Sequence, residues 1–306
     1  MQVTVLPACA RTSQATIRAL LAHPSSPSVK GIYRDPSKAP EEFTSSPRFE
    51  ALKGDMQDSA SLEVGLERSD AVVVTIPPVR DPTIDIIANA ARMAGNVKTA
   101  VNKTAAVKKL VMVSTKGAQY DHGLGEVLST LHKAEKILVD TNCESITFLR
   151  CAYFMENWAS SIPMVKGDPS FFFSTITPLD WAMPMVATKD IGAACANAAL
   201  SDSSEASKSK VKAVELHGPK PYSALDVKKA FEEVIGGGKD VQVRPIEREA
   251  LVEFFGQVFR HPTVAKWFGE MMMAATPGGI MVEDPEPTED YLYGKTGLVD
   301  MLRSMW

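Results

Sequence analysis

Gln2-Val3-Thr4-Val5-Leu6-Pro7-Ala8-Cys9-Ala10-Arg11-Thr12-Ser13-Gln14 begins as an apolar run and breaks at a proline. It then enters a segment where Ile17, Leu20 and Leu21 recur at helical spacing. Strand, turn and helix in that order start an alternating pattern. Val29–Tyr33 reads as a second strand and ends at the turn Arg34-Asp35-Pro36. Phe49–Lys53 is a third, closed by Gly54-Asp55, and Ser59–Leu66 is a helix. Ala71–Ile76 is a run rich in β-branched residues, typical of a strand buried on both faces, and it stops at Pro77-Pro78. Thr83–Ala94 is helical, Leu110–Ser114 a strand, Leu128–Asp140 a helix and Ser145–Leu149 a strand.

Strands alternating with helices at this spacing imply βαβ units and a parallel sheet. The expected class is α/β, a Rossmann-type doubly wound parallel sheet with a smaller α+β C-terminal lobe. The expected division is 1–155 and 156–306, with segments of the second part returning to pack on the first. In such sheets ligands bind beyond the carboxyl ends of the strands. The loops to watch are therefore Leu6–Ser13, Arg34–Lys38, Thr75–Val79, Ser114–Gly125 and Arg150–Trp158.

After residue 155 the pattern becomes irregular. Lys189–Leu200 reads as a helix, Val214–His217 as a strand, Ser223–Ile235 as a helix and Val241–Pro245 as a strand. Arg248–Ala274 reads as one amphipathic helix, and Ser201–Ser209 and Glu283–Asp290 as loops. Trp181, Met183 and Met185, with Phe254, Phe255, Phe259, Trp267, Phe268 and Met271–Met273, form either a core or the wall of an apolar pocket.

Composition narrows the field. In 306 residues, 33 basic against 37 acidic side chains give a net charge of −4, so no basic field draws nucleic acid. The four cysteines have no metal-type spacing, and a disulfide scaffold is not expected. No apolar run reaches the ~20 residues of a membrane span. No basic leader precedes an apolar core at the start, so a cytoplasmic location is expected.

A dinucleotide-binding turn uses glycines to turn tightly and to let phosphate approach. Here Pro7, Ala10 and Ser13 stand at the three glycine positions. Proline fixes φ and removes an N–H. The free amides of the following helix keep some anion affinity. Arg34, after the second strand, favours a 2′-phosphate and so NADP.

Tyr33-Arg34-Asp35-Pro36-Ser37-Lys38, Lys53-Gly54-Asp55-Met56-Gln57-Asp58, Val72–Pro78 and Val107–Ser114 resemble the NmrA-like family of atypical short-chain dehydrogenase/reductases. So do Phe148-Leu149-Arg150, Tyr153-Phe154-Met155-Glu156-Asn157-Trp158, Lys189-Asp190-Ile191-Gly192 and Gly294-Lys295-Thr296. The tone is that of fungal secondary-metabolism members. The resemblance implies a cofactor domain, a small lobe and a cleft between them. It places Arg11, Thr12 and Ser13 near the phosphates and Arg34 at the 2′-phosphate. Asp55 and Met56 fall by the adenine, and Thr75, Pro77 and Pro78 along the nicotinamide ribose. The usual Tyr/Lys pair is missing: counted back from Glu135, its positions hold Val127 and Leu131.

Candidate catalytic groups are Ser114, Lys116, Tyr120, His122 and His132, polar side chains crowded beyond one strand end. Candidate substrate contacts are Tyr153, Phe154, Glu156, Asn157 and Trp158. His217 and His261 are read as structural residues of the outer lobe. No metal motif is present. The favoured expectation is a small-molecule tailoring enzyme needing no cofactor. It would isomerise, cyclise or dehydrate an apolar polyketide- or alkaloid-like substrate. The alternatives are an NADPH-dependent reductase of an enone, iminium or quinone, and a non-catalytic NADP sensor binding a partner protein.

Overall fold

The computed structural model describes residues 1–201, 209–283 and 290–306. The loops expected at Ser201–Ser209 and Glu283–Asp290 fall almost wholly on residues 202–208 and 284–289, outside the described residues.

The strands are β1 (Gln2–Leu6), β2 (Ser28–Tyr33), β3 (Phe49–Lys53), β4 (Ala71–Thr75), β5 (Lys109–Thr115) and β6 (Ser145–Cys151). They are followed by β7 (Tyr153–Phe154), β8 (Phe171–Ser174), β9 (Met183–Val186) and β10 (Val211–His217). The last are β11 (Pro221–Tyr222), β12 (Gln242–Pro245) and β13 (Tyr291–Tyr293). Eight form one sheet in the order β13-β10-β6-β5-β4-β1-β2-β3, and every pairing in it is parallel. This is the expected Rossmann-type sheet. Strand order reverses between β1 and β4, where Val3 pairs with Ala71 and Leu6 with Val74.

The period-two alternation of these strands sorts side chains onto two faces. Val3, Val5, Ala71 and Val73 pack with Ile17, Leu20, Ile191 and Cys195 from the helices Arg11–Ala22 and Thr188–Leu200. Leu6, Val72 and Val74 pack with Leu62, Met93, Val97 and Leu138 from the helices Ser59–Leu66, Ile86–Lys103 and Gly125–Leu138. The helix expected to start at Thr83 starts at Ile86, because Asp85 caps it by accepting from the Ala88 amide at 2.8 Å.

A third core gathers Trp158, Phe172, Met185, Phe231 and Leu302 into the smaller lobe. Two small sheets line it, β11-β9-β7 and β12-β8. The single helix expected over Arg248–Ala274 is broken. Leu251–Phe259 ends where Arg260 takes φ 54°, and Pro262–Ala275 restarts at the proline. A left-handed residue followed by His261-Pro262 cannot continue a helix.

β10 and β13 come from the last third of the chain but extend the large sheet. Asp190 accepts from the Thr296 amide at 2.8 Å and from its hydroxyl at 3.0 Å, fixing the segment that follows β13. His217, expected in the outer lobe, ends β10 instead. Among the described residues no helix is long and apolar enough to cross a membrane.

Candidate functional site

The carboxyl ends of β4, β5 and β6 open into a cleft of about 420 Å³. Thr12, Thr75, Ile76 and Pro78 bound one side. Val113, Ser114, Thr115 and Lys116 continue β5 into it, and Cys151, Ala152, Tyr153 and Phe154 continue β6. Val127 and Leu131, from the helix Gly125–Leu138, add apolar surface where the reductase Tyr/Lys pair would stand. The opposite wall comes from the lobe: Trp181, Met183, Met271, Met272 and Met281. Of the two readings of the Met-rich stretch, these side chains meet the pocket. Phe254, Phe255, Phe259 and Phe268 pack on one another instead.

Two polar clusters sit beneath the cleft. The Ser114 hydroxyl donates to Glu135 Oε1 at 2.6 Å, and Arg150 grips the same carboxylate with Nη2 at 2.7 Å and Nε at 3.1 Å. This buried, two-pronged pair ties the helix Gly125–Leu138 to β6. In the second cluster, Lys116 Nζ lies 3.7 Å from Glu215 Oε2, and His217 Nε2 donates to that oxygen at 2.9 Å. Glu215 is 2% exposed.

The remaining catalytic candidates lie elsewhere. His122 points outward, its side chain 76% exposed, and its Nδ1 donates to Asp121 at 2.6 Å. That bond holds the Asp121 carboxyl below its usual range. His132 Nδ1 donates to the Ala118 carbonyl at 2.8 Å and pins the β5 loop. Tyr120 is buried against Leu124, Leu128 and Ala274. None of the three lines the cleft. Crowding in sequence did not mean convergence in space, because the loop after Lys116 turns away from the strand ends.

The substrate candidates divide in the same way. Tyr153, Phe154 and Asn157 line the cleft. Burial lifts the Tyr153 phenol to about 12, so it remains an O–H donor near neutral pH. Glu156 is turned inward and caps the helix Thr188–Leu200, accepting from the Thr188 amide at 2.8 Å and its hydroxyl at 2.6 Å. Trp158 is a core residue whose indole lies 3.5 Å from Met185 Sδ and edge-on to Phe172.

The first turn bears on whether a nicotinamide dinucleotide fits. None of residues 7–13 takes a positive φ, so glycine's conformational freedom is not required there. Ala10 stands in extended backbone at the helix N-terminus, with φ −68° and no side-chain cap. The first backbone bond of the helix is donated by Gln14 to Ala10 at 2.9 Å. The amides of Arg11, Thr12 and Ser13 thus precede the intrahelical ladder at the positive end of the helix dipole. The same helix packs closely on its neighbour Thr188–Leu200 through Gly192. There a Cβ would meet the Ala15 carbonyl carbon at 2.4 Å. Ser13 is fully buried, 3.4 Å from the Thr75 hydroxyl.

A basin of about 340 Å³ opens beyond β2 and β3, lined by Arg34, Lys53, Asp55, Asp58 and Ser61. Lys53 was not among the expected cofactor contacts. The signal was available, since β2 and β3 pair with Tyr33 opposite Lys53 and bring that lysine beside Arg34. Met56, expected at the adenine, is a core residue at 4% exposure. Pro77 lines a small adjoining hollow with Phe268 rather than the cleft. Arg34 and Lys53 at one end, beside the carboxylates of Asp55 and Asp58, free amides in the middle and an apolar cleft at the other end fit the three parts of such a cofactor.

Comparison with known proteins agrees with this. The family model described as NAD(P)H-binding matches residues 8–200. The NADPH-dependent quinone oxidoreductase QOR2 of Escherichia coli superposes with a TM-score of 0.76 at 20% identity, covering 100% of this chain and 99% of that one. The triphenylmethane reductase of Citrobacter sp., complexed with NADP(H), gives 0.74 at 17% identity over 100% of both chains. NmrA, a negative transcriptional regulator, gives 0.69 at 14% identity over 100% of this chain and 91% of that one. At these identities the likeness is one of fold. No curated protein matches the sequence.

Proposed function

This chain belongs to the NAD(P)H-binding family, and from that premise we propose that it is an NADP(H)-dependent reductase of an apolar acceptor. The acceptor is an enone, iminium or quinone within the size of a polyketide- or alkaloid-like molecule. The observation that carries this reading is that the basin beyond β2 and β3, the uncapped helix after β1 and the cleft beyond β4, β5 and β6 follow one another along the carboxyl edge of the sheet. Cofactor-free chemistry is expected from the missing glycines alone; no φ in the turn calls for them, and the family model favours the cofactor.

In this reading Arg34 and Lys53 hold the 2′-phosphate, the amides of Arg11 and Thr12 at the helix end hold the diphosphate, and Thr75 and Pro78 flank the nicotinamide ribose. When bound, the nicotinamide supplies hydride. The chain's own contribution is positional. Val127, Leu131 and the lobe methionines exclude water and orient an apolar acceptor. No Tyr/Lys relay is needed for acceptors of this class. Asp55, at the basin rim, meets the adenosine.

The test is a thermal shift with NADPH, NADP and NAD. A ligand present at 100 times its Kd adds about 2.7 kcal/mol to stability. Stabilisation by NADPH ahead of NAD supports the reading. No shift with any nucleotide overturns it.

A further inference from the structure

Among the described residues that line the cleft, Lys116 is the one charged side chain. The cleft walls are mainly Met, Leu, Val, Trp and Tyr, with the neutral polar side chains of Thr12, Thr75, Ser114, Thr115, Thr130 and Asn157 among them, and the lysine side chain is 30% exposed. A lone ammonium in such a wall costs desolvation energy unless it is paired. Its counter-charge is Glu215, buried one strand away from β6, where Arg150 stands opposite it in register but binds Glu135. The pairing is incomplete. Glu215 Oε2 is shared, with His217 at 2.9 Å and Lys116 at 3.7 Å. No described acceptor lies within hydrogen-bonding distance of Lys116 Nζ, and an ammonium has three N–H donors to offer. The lysine backbone is fixed as well, its amide donating to the Cys151 carbonyl at 2.9 Å. His217 is wedged edge-on between Tyr291 and Tyr293, which holds the far side of the cluster.

We propose that Lys116 is an oxyanion anchor. It selects, from apolar molecules that fit the cleft, those carrying or developing one negatively charged oxygen, such as a phenolate, enolate or carboxylate. Glu215 and His217 are positioning residues that hold the ammonium and offset its charge when the cleft is empty of ligand. This deepens the reading of the cleft as the acceptor site and rests on it.

The test compares two probes of nearly equal shape, para-nitrophenol and its neutral ether para-nitroanisole. Phenolate absorbance is followed just below the probe's free ionisation pH, together with the fluorescence of Trp181 in the cleft wall. The expected wild-type result is a bound probe shifted toward phenolate. Lys116→Met lowers phenolate affinity about tenfold or more, the scale of one charge-assisted hydrogen bond, and leaves para-nitroanisole binding unchanged. Lys116→Arg retains the preference. Glu215→Gln raises phenolate affinity, because the opposing charge is gone; a purely structural staple would not produce that gain. Equal behaviour of wild type and Lys116→Met toward both probes overturns the proposal. So does a parallel loss of both probes, or a wild-type cleft that takes neither. NADPH titrations are run on the same proteins. Loss of NADPH affinity in Lys116→Met would assign the lysine to the cofactor and also overturn it. A wild type that binds the phenolate but no NADPH sinks the reductase reading alone.

Discussion

Gly192 and Ala15 approach so closely that any side chain at position 192 would collide with backbone, at 2.4 Å from the Ala15 carbonyl carbon. Backbone cannot move aside as a side-chain tip can. Gly192→Ala is expected to push the helix Arg11–Ala22 outward and to destabilise the protein by about 1–3 kcal/mol, the usual cost of overpacking. Chemical denaturation measures this. NADPH affinity should fall with it, since the same helix presents the amides of Arg11 and Thr12.

Arg34 and Lys53 share a basin. Arg34→Ala and Lys53→Ala should each weaken NADPH binding by about tenfold while leaving NADH little changed, as expected for charge-assisted contacts to a phosphate. Calorimetric titration of both nucleotides reads the ratio directly. An equal loss for both nucleotides would place the basin away from the 2′-phosphate.

The Glu135–Arg150 pair is buried, with side chains 7% and 15% exposed. Removing one partner leaves the other charge without compensation. Arg150→Met should therefore cost about 3–5 kcal/mol, seen as a lowered denaturation midpoint. Ser114→Ala should cost less, about 1–2 kcal/mol, because Arg150 still satisfies the carboxylate.

His122 is expected to be dispensable. Its ring is in solvent beside Asp121, and His122→Ala should change stability by less than about 0.5 kcal/mol. NADPH affinity should be unaltered. His132→Ala should cost about 1 kcal/mol, for one hydrogen bond to Ala118. A large loss of nucleotide or probe binding in either variant would show that the loop folds over the cleft in solution.

Burial raises the phenols of Tyr33 and Tyr153 to about 12. Both resist ionisation in the folded state, while in the unfolded chain they ionise near 10. Their contribution to stability is thus complete below pH ~10 and is lost as pH rises from there through about 12. An alkaline unfolding series should show this decline. Tyr153→Phe should flatten it, because phenylalanine has no proton to lose.

The alternation from β1 to β6 was legible because its signals are local: apolar runs, helical spacing, and punctuation by Pro36, Gly54 and Pro77. The strand ends that carry Thr75, Ser114, Lys116 and Tyr153 followed from it. The lobe was less legible. β7 and β11 are two residues each and exist only through their partners in β9, so no periodicity announces them. The break at Arg260 depends on one dihedral. The inward turn of Glu156 onto Thr188 and the outward turn of His122 are tertiary facts, which residue type and position along the chain do not encode. The cleft's cation was named from the sequence, but its partners Glu215 and His217 lie a hundred residues away on a strand expected to belong elsewhere.

That strand and β13 have a further consequence. The rim of the large sheet is completed by Tyr291–Tyr293, and the helix Leu298–Met305 that follows buries Leu298, Met301 and Leu302 in the lobe's own core. The tail therefore rivets both halves of the molecule at once. Neither half holds a complete set of its own parts, so heat should melt them in a single cooperative step. A chain cut short before Tyr291 should yield two damaged pieces rather than one intact domain and a stump.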